Sequence, residues 1–362
     1  MLERLAGSPT RLVADLYNPI VVEVLAGAAG RSPAAQRRIQ RRIAARTLAL
    51  CAAADLILCA NERQRDLWIG GMALAGLLDP ETAARDAALR SLVAVVPFGV
   101  PDTPAPADDG TLRAAFPAIG PDDRVLLWGG GLWGWLDPGT VFAALERLPG
   151  DVHLVLLGAG RPGLAATGQA AATERALADA ERAGLLGRRV HVNPAWVPYA
   201  ERGAWLAGAD LAVAAHHDHL EARYAHRTRV LDALWAGLPV VTTEGDALGE
   251  LVARERLGAA VPVGDAAAFA AACARLLGPA GDEARARIAA LLPRLRWSQA
   301  AAPLVDWCAE AGTRPRRRIR RGVLRRATFA QYRWALPETL ADEGAAAAAR
   351  RIGRRLRRGL RR

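Results

Sequence analysis

The chain has 362 residues, 52% of them apolar, which allows two domains with filled cores and excludes disorder throughout. Its net charge of +11 is concentrated at one end: the last 50 residues, Thr313 to Arg362, hold 17 arginines against three acids and sum to +14, so the rest of the chain sums to −3 and has no general affinity for polyanions. No apolar stretch reaches the ~20 residues of a spanning helix. The opening MLERLAGSPTRLVADLY lacks the apolar core of a secretory signal, and four scattered cysteines without a CxxC pair (Cys51, Cys59, Cys273, Cys308) argue for a reducing compartment and against a zinc framework.

Short β-rich runs alternate with helical-period stretches along the chain. Strands are expected at Arg11–Leu16, Asp55–Cys59, Val93–Val96, Val125–Trp128, His153–Leu157, Val190–Val192, Leu211–Ala214, Pro239–Thr242 and Ala259–Val261. Helices are expected at Gln64–Ala75, Thr140–Leu148, Ala171–Ala183, Ala200–Leu206, Arg227–Ala236 and Ala266–Leu277. That alternation is the pattern of βαβ units in a parallel, doubly wound α/β sheet, whose ligands bind beyond the strand C-termini. Pro97, Pro101, Pro104 and Pro106 mark a linker that can be neither helix nor central strand. After it six strand–helix units follow in order; before it only three strands fit. The expected division is therefore 1–110, a partial N-terminal domain with the linker; 111–312, a complete Rossmann-like domain; and 313–362, a basic tail.

The densest segment for chemistry is Arg227 to Asp246, where a helix ends at Gly237, a strand follows at once, and Glu244-Gly245-Asp246 forms a turn at its end. Arg229 and Asp232 stand at i, i+3 on one helical face. One can reach a phosphate while the other accepts from a sugar hydroxyl; the alternative is a surface ion pair. The chain contains no lysine, so a fixed positive charge falls to arginine, whose planar fork suits phosphates.

This segment, with Gly237-Leu238-Pro239-Val240-Val241 at its centre, resembles the nucleotide-sugar half of family 4-type retaining glycosyltransferases of the GT-B fold. Further pieces agree in order: Val125 to Gly131 (VLLWGGG), Leu154 to Gly160 (LVLLGAG), Val190 with Trp196-Val197-Pro198-Tyr199, Ala209 to Val213, and Gly258 to Asp265. The likeness covers about Asp123 to Leu277. It implies two Rossmann-like domains, the N-terminal one shortened: Asp55–Gln64 and Val95–Val100 match the end of the acceptor-side domain, while its early strands and glycine-rich first loop have no counterpart. A gene start placed too late would also account for this.

The resemblance implies a site. Asp232 falls where the family binds the donor ribose, Arg229 where a cation meets the diphosphate, and Glu244, Gly245 and Asp246 in the loop whose backbone N–H groups approach diphosphate and sugar. Gly130, Gly131, Arg161 and Val197 complete the donor-binding set, and Arg229 with Glu221 the catalytic one. The sequence departs from the family at two points. Tyr224 stands eight residues before Asp232, where a glutamate is usual, leaving Glu221 as the nearest acid. Trp133-Gly134-Trp135-Leu136-Asp137-Pro138 replaces the usual basic residue after the first glycine turn, and its two tryptophans could stack on a base or sugar. His216-His217-Asp218-His219 offers metal-ligand residue types, but neighbours at i, i+1 and i+3 rarely converge on one ion. Neither a metal nor a further cofactor is expected.

The expected activity is transfer of a sugar from a nucleotide diphosphate donor to a glycan or lipid-linked acceptor, with retention, in cell-surface polysaccharide or glycolipid synthesis. The alternative is a non-catalytic nucleotide-sugar-binding module. A nucleotide-sugar epimerase is disfavoured for want of an acid/base carboxylate pair. In Asp342–Arg362, Ile352, Leu356 and Leu360 recur every four residues among arginines, a basic amphipathic pattern suited to an anionic membrane. It lacks the aromatics that stack on nucleic acid. The expected location is cytoplasmic, peripheral at the inner membrane face.

Overall fold

A computed structural model describes residues 2, 5, 8–27, 32–158, 168–313, 317, 319–331 and 333–334. Arg161 and the amphipathic stretch 342–362 lie outside the described residues. The chain forms two units: Val96–Asp306, and the residues up to Val95 together with those from Trp307 on. The nine expected strands are all present, as β1 (Val13–Asp15), β2 (Leu56–Cys59), β3 (Val93–Val95), β4 (Arg124–Trp128), β5 (Val152–Leu156), β6 (Val190–Val192), β7 (Leu211–Ala214), β8 (Val240–Thr243) and β9 (Gly258–Val261).

The first unit is a three-stranded parallel sheet in the order β1-β2-β3. The helix after β2, Glu62–Leu74, starts where Asn61 accepts from the Gln64 backbone N–H at 2.9 Å, and Gln64 Oε1 accepts from the Ala60 N–H at 2.8 Å. This reciprocal cap fixes the strand-to-helix turn that the polar Asn61 foreshadowed. Trp68 and Met72 of that helix pack with Ile57, Cys59 and Val93 of the sheet.

The second unit is a six-stranded, fully parallel sheet in the order β6-β5-β4-β7-β8-β9. Counted from β4, this is the doubly wound order 3-2-1-4-5-6 with its reversal between β4 and β7. Side chains alternate between two cores, as period-2 strands buried on both faces require. Leu126, Trp128, Leu154, Leu156, Leu211 and Val213 face one. Val125, Leu127, Val155, Ala212 and Val240 face the other, covered by Val230, Leu231 and Leu234 of the helix Thr228–Trp235.

Two boundaries differ from the sequence expectation. The proline-rich segment does not stand apart from the second unit. Val100 N–H donates to Leu295 O at 2.8 Å, Trp297 N–H to Val100 O at 2.9 Å, and the Trp235 indole to Thr103 O at 2.9 Å. The unit therefore begins at Val96 rather than 111. The segment after 313 is not all tail. Leu324 and Ala327 are buried in the core of the first unit, and Arg317 donates to the carbonyls of Cys51 (2.7 Å), Ala54 (3.0 Å) and Leu77 (2.8 Å). Net charge does not reveal this, because Leu324 and Ala327 share the inward side of a helical turn whose other positions are arginines.

Candidate functional site

The loops leaving β4, β7 and β8 meet at the carboxyl edge of the second sheet, beside its topological reversal. Backbone hydrogen bonds tie the first two together: Asp137 N–H donates to Ala215 O at 3.0 Å and His217 N–H to Trp135 O at 3.1 Å. The His216 N–H donates to the Thr243 hydroxyl at 3.1 Å, and its ring Nε2 lies 3.7 Å from Asp246 Oδ2, which fastens β7's exit to β8's.

The turn Gly129-Gly130-Gly131 is glycine for two physical reasons. Gly130 has φ +122°, in the region closed to side chains. A Cβ on Gly131 would stand 2.0 Å from Gln169 Nε2, and one on Gly158 would stand 2.1 Å from the Gly130 carbonyl carbon. Gly158, just after β5, thus lies against the backbone of the turn after β4 at the reversal point.

Arg229 reaches this turn from the first turn of the helix Thr228–Trp235. Its Nη2 donates to Gly131 O at 3.1 Å, and its guanidinium lies 5.3 Å from the centre of the Trp128 ring. Its Nη1 is sheltered from solvent and has no hydrogen-bond partner among the described residues. Burial, reinforced by the Arg227 cation and opposed by Glu221, pushes the Arg229 pKa down to about 9, so it stays charged at neutral pH. A cation held against its own solvation, with one donor unspent, is a preorganised receptor for an anion.

Arg227, which the sequence did not single out, occupies the centre of a buried ion cluster. Its Nε donates to Asp246 Oδ2 at 3.0 Å and its Nη2 to Glu221 Oε2 at 3.2 Å. Asp246 is fully buried, and its Oδ1 also accepts from the Leu248 and Gly249 N–H groups at 2.8 and 2.7 Å, capping the helix Ala247–Arg254. Two of that helix's N-terminal donors are thereby taken by the protein itself. Glu221, expected at the reacting centre, is likewise buried against Arg227. Glu244 and Gly245 are exposed at the turn, Gly245 with φ +119°. The Glu244 N–H is spent on Val261 O at 2.9 Å.

Asp232 pairs with Arg202, whose Nε donates to Oδ1 at 2.9 Å. Arg202 lies over Tyr199 (3.5 Å) and Trp235 (4.6 Å). Burial raises the Asp232 pKa, with Arg202 opposing the rise. Val197 is half-buried between Trp196 and Tyr199, which are 48% and 58% exposed. The two loop tryptophans stack on each other, Trp133 and Trp135 having ring centres 5.1 Å apart at 7°, and both pack on the core; each thus satisfies the other's face. His216 and His217 turn to different carboxylates, Asp246 and Asp137 (3.8 Å for the latter). The sequence does not single out Arg202 or Arg227: Asp232 lies 30 residues from Arg202 and Asp246 19 from Arg227, and Glu221, six before Arg227, meets it only through the turn between two helices.

A six-stranded parallel unit in this order, with a glycine turn and an arginine at its reversal, places the protein in the doubly wound α/β class. Solved structures with the same fold include sucrose-phosphate synthase from Thermosynechococcus elongatus, with a TM-score of 0.59 at 18% identity over 86% of this chain and 70% of that one. Anabaena HepE in complex with UDP-glucose has a TM-score of 0.61 at 17% identity over 83% of this chain and 72% of that one. Both sheets and these likenesses make the fold α/β of the GT-B glycosyltransferase type. Residues 139–278 match the family described as Glycosyl transferases group 1. A D-inositol 3-phosphate glycosyltransferase of Xylanimonas cellulosilytica is 31% identical over 230 residues, 61% of this chain; the chain spans 52% of that relative's length.

Proposed function

We propose that the protein is a glycosyltransferase that binds a nucleoside diphosphate sugar at the carboxyl edge of the second sheet. The observation that supports this most is the unspent Nη1 of Arg229 beside the Gly130–Gly131 turn. As the glycosidic bond to the donor breaks, charge grows on the departing diphosphate, and a fixed cation lowers the barrier by meeting that charge. The acceptor attacks from the face the diphosphate leaves, giving retention. Asp232 takes the ribose hydroxyls through Oδ2, held in place by Arg202 on Oδ1, and Val197 lies at the base. Glu244 and Gly245 border the sugar. Glu221 and Asp246 act at one remove, by fixing Arg227 behind Arg229. Arg161 belongs to the donor set by its place after the second glycine turn. The acceptor is a glycan or lipid-linked sugar of a cell-surface polymer, and the basic stretch 342–362 meets an anionic inner membrane face. No helix among the described residues is long and apolar enough to cross a membrane, which suits peripheral attachment.

Calorimetric titration with a panel of nucleoside diphosphate sugars tests the reading. Asp232→Ala should weaken the preferred donor by roughly 1–3 kcal/mol, the scale of a charge-assisted hydrogen bond. Absence of binding by every donor would refute it, and binding without transfer to any glycan or lipid-linked acceptor would leave a nucleotide-sugar-binding module.

A further inference from the structure

The helix Ile20–Gly27 has the sequence IVVEVLAG, yet none of its side chains described, Ile20 to Leu25, is buried, and Leu25 is 54% exposed. An aliphatic helix of this kind usually lies inside a core. Here Val21 reaches the edge of the first unit's core, and the helix rests on the helix Pro33–Ala53, where Gln40 Nε2 donates to Val21 O at 3.1 Å. That second helix carries Arg37, Arg38, Arg41, Arg42 and Arg46 and no acidic residue. At 100° per residue the five arginines span one half of its circumference, and Arg37, Arg41 and Arg46 are exposed.

A third element adds to this surface. In helical residues 321–331, Leu324 and Ala327 turn into the core, which leaves Arg321, Arg325 and Phe329 as an outward stripe at i, i+4 and i+8, with Arg326 beside it. Phe329 is 70% exposed. The guanidinium of Arg41 lies 4.8 Å over the Trp334 ring, which joins this segment to the arginine helix. All these residues belong to the first unit, on its folded part.

We propose that this surface of the first unit docks on an anionic lipid bilayer, with the arginines among the headgroups and the aliphatic face of Ile20–Gly27 and Phe329 at the acyl boundary. Arginines alone would suit any polyanion. A half-exposed aliphatic helix packed on the arginine helix gains nothing from a nucleic acid backbone, whereas the bilayer interface offers an apolar layer directly beneath anionic charge. A tryptophan beside an arginine suits headgroup depth. The surface is distinct from the stretch 342–362, and the inference does not depend on the donor site.

The test is co-sedimentation of the full chain with phosphatidylcholine vesicles, with and without phosphatidylglycerol, at low and high salt. To remove the contribution of the end of the chain, the background carries serine at Arg350, Arg351, Arg354, Arg355, Arg357 and Arg358. That background should still bind phosphatidylglycerol vesicles at low salt and ignore pure phosphatidylcholine. Arg37→Ser, Arg41→Ser and Arg46→Ser together should weaken binding about 100-fold, since each basic residue near an anionic surface is worth roughly fivefold. Val22→Ser with Leu25→Ser should weaken it several-fold and remove whatever binding resists high salt. Because these residues are exposed or half-exposed, the thermal melt and the titration with nucleoside diphosphates should not move, so failure of the donor site would show separately. The inference is overturned if the serine background no longer binds phosphatidylglycerol vesicles, or if the triple arginine variant binds them as before. Preference for a short RNA over the vesicles in competition would overturn it as well.

Discussion

Replacing Arg229 by methionine should separate a binding role from a structural one. Among the described residues the side chain makes one hydrogen bond, Nη2 to Gly131 O at 3.1 Å, while Nη1 is buried with no partner. Losing the bond costs about 0.5–1.5 kcal/mol. Against that, the variant no longer pays for a desolvated charge, whose burden shows in the pKa pushed down to about 9. Methionine fills the place of the apolar stem with a side chain of similar length, though the guanidinium's approach to the Trp128 ring is lost with the charge. The two effects nearly cancel, so the unfolding free energy from urea titration should stay within about 1 kcal/mol of the original or rise. Donor binding should fall by much more. One charge-assisted hydrogen bond is worth about 1.5–3 kcal/mol, and a unit charge at ~4 Å in a medium of effective dielectric ~20 sets a ceiling near 4 kcal/mol. That is about 10- to 1000-fold in Kd, read by calorimetry with UDP or the preferred nucleotide. A variant that loses several kcal/mol of stability yet binds the nucleotide as before would refute the reasoning, since Arg229 would then be a structural brace.

Three further outcomes follow from the same geometry. Asp246→Ala should destabilise the protein by about 3–5 kcal/mol in urea unfolding, because it strips a buried partner from Arg227 and the cap from the helix Ala247–Arg254; a loss under about 1 kcal/mol, the scale of an exposed pair, would mean the cluster is solvated. Gly158→Ala should cost at least ~1–3 kcal/mol and weaken nucleotide binding together, since its methyl would strike the backbone of Gly130 rather than a movable side chain; normal binding in a folded variant would show that the turn tolerates displacement. Burial lowers the His226 pKa to about 4, against a small opposing pull from Asp246, so the unfolded chain binds the proton first as pH falls. The stability is therefore full above pH ~6.5 and drops by up to about 3 kcal/mol as pH falls towards 4, and His226→Gln should flatten that slope; parallel slopes in the two proteins would exclude His226 as the cause.

All nine strands and the doubly wound class were legible in the chain, because a strand buried on both faces writes itself as a short β-branched run and a crossover helix as a longer periodic one. Arg229 was legible for a local reason too: it sits in the first turn of a helix that opens at a strand-end crevice. The buried cluster was not. Glu221, Arg227 and Asp246 each look like surface charges in sequence, and only the packing of the β7 and β8 exits removes them from water and makes them one another's partners. The same holds for Asp232, whose link to Arg202 spans 30 residues, and for Trp133 and Trp135, which stack on each other. Local pattern determines which elements form, since propensity and periodicity act over a few residues. Which charges meet, which arginine keeps a free donor, and that Leu324 returns to the first core are decided by long-range contacts, whose partners no short window of sequence contains.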